Sequence, residues 1–164
     1  MHSKIKGTIG ELTIARDLQL NGFNVFKELG DLSKIDLIAE KDNKLIKLQV
    51  KTLTSKNGCV TLVSKKSGPN YSFRYKLQDV DIFSVYILDL DLIGYISAKE
   101  LLSQKTLTLR VIKPKNGQCN KIRYIHEFRD INRILRDYTQ QTLTDKAEGY
   151  DIVQTTTQIE ASEN

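Results

Sequence analysis

Two β-prone runs, Ile35-Asp36-Leu37-Ile38-Ala39-Glu40 and Leu45-Ile46-Lys47-Leu48-Gln49-Val50-Lys51, flank Lys41-Asp42-Asn43-Lys44, four residues of turn-forming chemistry. They predict a β-hairpin, and such a hairpin fixes which side chains meet. With Glu40 facing Leu45, antiparallel partners have indices that sum to 85, so residue 36 lies opposite residue 49. Side chains alternate along a strand, which puts Gln49 and Lys51 on one face and Leu48 and Val50 on the other. Asp36, Gln49 and Lys51 thus gather beside an apolar packing face. The solvated side of an edge hairpin would carry the same residues, so the grouping gains meaning only from its surroundings.

Upstream, Ile5, Ile9, Leu12, Ile14, Ala15 and Leu18 largely follow helical spacing, and the run stops at Asn21-Gly22. Glu11 falls on this first helix, near the edge of its apolar stripe. There a carboxylate is either solvated or turned inward toward a site.

In this order, Gly7-x-x-Gly10-Glu11, Asn21-Gly22-Phe23, Ser33-Lys34-Ile35-Asp36-Leu37 and Gln49-Val50-Lys51 resemble the PD-(D/E)XK nucleases. The core of that family is a helix bearing a glutamate, followed by a hairpin carrying Asp and then (Glu/Asp)-X-Lys. The match is similar above all to a small branch that includes archaeal Holliday junction resolvases and a homing endonuclease encoded in a bacterial group I intron, the latter preferred. Motif residues cover roughly the first third of the chain. The resemblance implies a restriction-endonuclease-like α/β fold, a central mixed sheet flanked by helices, with projecting DNA-binding β-hairpin loops. It also implies catalytic roles for Glu11, Asp36, Gln49 and Lys51. Asp36, Gln49 and the Val50 carbonyl would hold Mg²⁺, with Mn²⁺ as a substitute, and Glu11 would bind that ion or a second one. Lys51 would orient or help deprotonate the attacking water and offset charge on the phosphate. One departure stands out: the family's second carboxylate is Gln49 here, whose amide oxygen coordinates a hard cation without supplying charge. Glu11 would compensate.

The charge balance agrees with a phosphate-binding partner. Residues 1–139 hold 24 basic against 15 acidic residues, a net +9, whereas residues 140–164 hold one Lys and five acids. Length and composition suit one nuclease domain over 1–139 and a polar acidic tail over 140–164, partly disordered or docked on a neighbouring subunit. No run of roughly 18 apolar residues and no signal-peptide pattern is present, so a soluble, cytoplasmic protein with no membrane partner is expected. Cys59 and Cys119 lack a CxxC partner, and His2 and His126 are too isolated for a zinc site or a triad.

After the hairpin, Val60 to Val63 reads as a further strand, and Ser64 to Lys76 interleaves basic, amide and aromatic residues around the turn Gly68-Pro69-Asn70. A projecting two-stranded ribbon there would reach a DNA groove with Lys65, Lys66, Asn70, Tyr71, Arg74, Tyr75 and Lys76. An ordinary solvated loop is the competing reading. A second such segment, with the Asn116-Gly117 turn, offers Lys115, Asn116, Gln118, Lys121 and Arg123. Val80 to Asp89 and Leu92 to Ile96 look like central strands, Ser97 with Glu100 like the capping box of a short helix through Leu102, and Leu107 to Ile112 like another strand. Asp130 would cap a helix from Ile131 to Tyr138.

The expected function is a Mg²⁺-dependent, site-specific double-stranded DNA endonuclease of homing type, acting at a long pseudopalindromic target as a homodimer or homotetramer. A Holliday junction resolvase is the enzyme alternative. A catalytically weak or inactive DNA-binding module is the other.

Overall fold

The structure, a computed structural model, describes residues 1–28, 33–68, 71–113, 122–132, 135 and 136. Its contacts divide the chain into Met1–Asp130 and Ile131–Asn164. Of the expected helix from Ile131 to Tyr138 only 131, 132, 135 and 136 are described, all helical, and the acidic tail lies wholly outside the described residues.

Helix α1 (Ser3–Leu20) is capped at its start by the His2 side chain and ends at Asn21, with Gly22 at φ 81°. Its fully buried positions are Gly10, Ile14 and Leu18, a stripe at spacings of four. Ile5 and Leu12, assigned to the apolar stripe from their spacing, are instead more than half exposed. Strand β1 (Asn24–Lys27) follows, then β2 (Leu37–Lys41) and β3 (Lys44–Leu53). The β2–β3 hairpin pairs Leu37 with Leu48 and Glu40 with Leu45, the expected register. Its turn is tighter than expected. Lys41 and Lys44 pair, leaving only Asp42 and Asn43, both in the left-handed region at φ 53° and 60°. Two successive positive φ values match the twist of the flanking strands, and Asp and Asn tolerate them better than most side chains.

Beyond β3 come β4 (Cys59–Val63), β5 (Lys65–Gly68), β6 (Tyr71–Arg74), β7 (Ile82–Ile87), β8 (Leu92–Ser97), α2 (Ala98–Gln104) and β9 (Thr106–Arg110), then a 3₁₀ turn at Ile125–Phe128. The main sheet has the order β1-β2-β3-β7-β8, with β3 and β7 parallel and the other pairs antiparallel. Strand β7 is central and wholly buried, as its composition predicts, whereas β8 is an edge strand. Strand β4 pairs with β9 in a separate two-stranded sheet, and β5 with β6 in another, so the expected ribbon is present. Ser97 caps α2 by accepting from the Glu100 amide, but the Glu100 carboxylate pairs with Arg123, leaving half of the expected capping box.

The two faces of the main sheet are covered differently. Val60, Leu62, Leu107, Leu109, Leu101, Ile125 and Phe128 close over the face carrying Phe83, Val85, Ile87 and Ile96. Helix α1 lies on the other face, where the Tyr95 hydroxyl donates to Asp17 at 2.6 Å. Gly10 lets α1 approach β3, since a Cβ there would collide with the Thr52 hydroxyl and lie 3.1 Å from Thr52 Cβ. Rotating Thr52 moves its hydroxyl but not its Cβ, so the tight approach remains. Gly10→Ala is therefore expected to cost about 1–3 kcal/mol by overpacking, against the gain of about 1 kcal/mol usual for Gly→Ala in a helix. Urea denaturation reads the sign directly, and stabilisation would refute the close approach. Among the described residues, no helix is long and apolar enough to cross a membrane.

Candidate active site

The site forms where β2 ends and β3 continues. Ser33 orders the approach, its hydroxyl accepting from the Ile35 amide at 2.8 Å and donating to the Ile35 carbonyl at 3.1 Å. The Asp36 amide then donates to the Leu48 carbonyl at 2.9 Å, the last backbone bond of the hairpin on this side. Backbone groups two residues apart on a strand point the same way, so the Val50 N–H and C=O face the space that β2 has vacated. The Asp36 carboxylate fills part of it: Oδ2 accepts from the Val50 amide at 2.7 Å.

Gln49, 3% exposed, completes the cluster. Its Nε2 donates to Asp36 Oδ2 and also reaches the Val50 carbonyl at 3.3 Å. Its Oε1 accepts from the Tyr75 hydroxyl at 2.6 Å. The amide nitrogen thus bridges two oxygens, as a small cation would. On the same face, Lys51 Nζ lies 5.1 Å from the centre of the Tyr75 ring. Glu11 is presented from α1, and a cavity of about 270 Å³ is lined by both Glu11 and Asp36.

Electrostatics mark Asp36 as the strained member. Burial is the main cause that pushes its carboxyl up to about 6, and the Glu11 charge adds to it; the Val50 hydrogen bond and the Lys66 and Lys51 ammonium groups pull the other way. Burial is also the main cause holding Lys51 below the ordinary lysine range, with Lys66 adding to the effect and Asp36 opposing it. A carboxylate pushed up beside a lysine pushed down is a pairing characteristic of reactive sites. No three His, Cys, Asp or Glu side chains converge as a metal cluster among the described residues. A cation here would have the Asp36 and Glu11 carboxylates, the Val50 carbonyl and an amide oxygen from Gln49. That all-oxygen set suits a hard divalent ion.

The proposed DNA-contact residues divide. On the ribbon, Lys65 pairs with Arg74 and both are exposed, as are Tyr71 and Lys76. Lys66 pairs with Phe73 and acts electrostatically on Asp36 and Lys51, so it belongs with the Asp36 cluster as much as with the ribbon. Tyr75 is corrected: at 3% exposure it cannot reach DNA, because its ring packs edge-on against Phe73 and Phe83 while its hydroxyl holds Gln49. Arg123 stands apart from the ribbon: its guanidinium pairs with Glu100 and lies 4.7 Å from the Phe128 ring. Asn70, Lys115, Asn116, Gln118 and Lys121 lie outside the described residues.

One charged neighbour has no counterpart in the sequence reading. Lys27, at the end of β1, places Nζ 2.7 Å from Glu11 Oε2 and lines the cavity holding Glu11 and Asp36. The four-residue strand that carries it gives almost no periodic signal, although the alternation of Val25 and Lys27 against Asn24 and Phe26 places Lys27 on the α1 side once β1 is recognised.

A mixed sheet with one helix delivering a carboxylate to an Asp-Gln-Lys hairpin has the architecture of a nuclease. Residues 1–131 match the model of the PD-(D/E)XK endonucleases, and the chain belongs to that family, whose members typically use divalent metals. Among solved structures it is similar to a bacterial homing endonuclease, I-Ssp6803I, at a TM-score of 0.69 and 21% identity, over 87% of this chain and 99% of that one. At that identity the likeness establishes the fold. Among curated proteins, none matches the chain.

Proposed function

We propose that the chain is a site-specific double-stranded DNA endonuclease of homing type that requires Mg²⁺, with Mn²⁺ able to replace it. The observation that carries this reading is the convergence of Asp36, Gln49, Val50 and Lys51 at the open end of one hairpin, with Glu11 brought to the same cavity by α1. Asp36, Glu11 and the Val50 carbonyl would hold the ion. Gln49 joins them after a half-turn of its amide, which brings Oε1 toward Asp36 and Nε2 toward Tyr75; a tyrosine hydroxyl donates to one end and accepts from the other, so either orientation is served. When bound, the cation supplies Lewis acidity toward the phosphate and a lower pKa for the attacking water. Lys51, whose ammonium form burial makes less stable than in an ordinary lysine, orients that water and shares its proton, and in its charged form offsets the phosphate.

Breaking both strands takes two such sites, so a homodimer or homotetramer is proposed, with one ribbon per subunit in a groove of the target. The exposed pair Lys65 and Arg74 would meet phosphates. Replacing both with Ala is expected to reduce the slope of log K against log salt by about 1–2, because each neutralised phosphate contributes about 0.9. Fluorescence anisotropy with a labelled duplex in Ca²⁺ measures it, and an unchanged slope would remove the ribbon from the interface. Homing-type cleavage is separated from junction resolution by offering linear duplex and four-way junction in competition. The proposal expects cuts in linear duplex at a long motif; preferential cutting of the junction irrespective of sequence would replace it with the resolvase reading.

A further inference from the structure

We propose that Lys27 is a displaceable counter-ion of the metal position: it neutralises Glu11 while no metal is bound and transfers to the DNA phosphate once the metal takes the glutamate. This rests on the nuclease reading of the same site and adds a residue to it. The geometry gives two lysines contrasting roles. Lys51 is partly buried, over the Tyr75 ring on the hairpin face. Lys27 stands on the edge strand β1 with its side chain 48% exposed, and its ammonium closes on Glu11 Oε2 at 2.7 Å beside the cavity that Asp36 also lines.

Charge explains why such a lysine is needed. Two carboxylates in one partly buried site repel each other, and Lys27 and Lys51 bring the cluster of Glu11 and Asp36 close to neutrality. With a divalent ion held by Glu11 and Asp36, the Lys27 ammonium would face a like charge, and its exposed side chain would leave for water at little cost. The arriving phosphate then offers it a new anion in the same cavity, where a compact ammonium acts as a point charge.

The counter-ion role fixes a sign that a merely structural ion pair does not. Lys27→Ala should bind metal more tightly than wild type, because Glu11 is free and a positive charge is gone, yet cleave more slowly at saturating metal, because the phosphate has lost a contact. Calorimetric titration of the full chain with Mn²⁺ in the absence of DNA should show Kd lowered about three- to tenfold, and single-turnover cleavage at saturating Mn²⁺ should be slowed about tenfold. Lys27→Arg should keep the metal affinity near that of wild type and recover part of the rate. A Kd in Lys27→Ala that is unchanged or weaker overturns the counter-ion role, and an undiminished rate at saturating metal overturns the transfer to phosphate. Wild-type protein that takes up no Mn²⁺ at all would instead overturn the metal-dependent nuclease reading, so the two failures are separable.

Discussion

Asp36→Asn is expected to abolish cleavage, by about 10³-fold or more, while making the metal-free protein more stable at neutral pH. Both effects arise from one carboxylate. Its two hydrogen bonds, from the Val50 amide and the Gln49 amide, converge on Oδ2, so the single oxygen of an asparagine can accept both with the backbone unmoved. What is lost is the charge that a divalent ion needs. What is gained is relief from burying that charge, because Asp36 is pushed up to about 6 from 3.8. The fold prefers the protonated acid, so this contribution to stability is fully present below about pH 4 and is lost as pH rises through about 6. Above that the ionised group costs on the order of 3 kcal/mol in the metal-free protein. Urea denaturation in chelator should therefore show wild type losing stability between pH 4 and pH 7, and Asp36→Asn losing less. The metal reverses the preference, since it binds the ionised form: its apparent affinity for wild type should fall about tenfold between pH 7.5 and pH 5. Equal pH dependence in the two proteins would mean that Asp36 is not the strained group.

Lys51→Ala is expected to lower the single-turnover cleavage rate by about 10²–10⁴-fold with metal binding intact or slightly tightened. The ammonium sits close enough to Asp36 for each to shift the other's titration, so its removal makes the site more attractive to a cation. The damage should fall on the chemical step. Lys51→Arg should not restore the rate, because a guanidinium does not give up a proton near neutrality. A rate loss that excess metal repairs would assign Lys51 to metal retention instead.

The central juxtaposition was legible because it rests on local rules. The four turn-forming residues Lys41 to Lys44 imply that Glu40 faces Leu45, that pairing fixes the register even though the turn itself closes on Asp42-Asn43, and the register brings Asp36 to Gln49 and Val50. Glu11 was legible as a helical residue at the edge of a buried stripe. The rest depends on contacts that periodicity does not encode. Tyr75 lies in a ribbon rich in Lys and Arg and reads as a groove contact, yet the packing of Phe73 and Phe83 draws it beneath the site. Gly10 is a helix glycine until β3 presents Thr52 to it. Lys27 belongs to a strand too short to announce itself, and its role emerges only when β1 joins the edge of the sheet. In each case the missing information is which element covers which face.

The most direct test is to incubate a randomised duplex library with the full chain, in Mg²⁺ and in chelator, and sequence the cut ends. The account predicts paired cuts on both strands at one long motif, present only with Mg²⁺. Duplex that is bound but left intact in both conditions, or cut equally well in chelator, would contradict it.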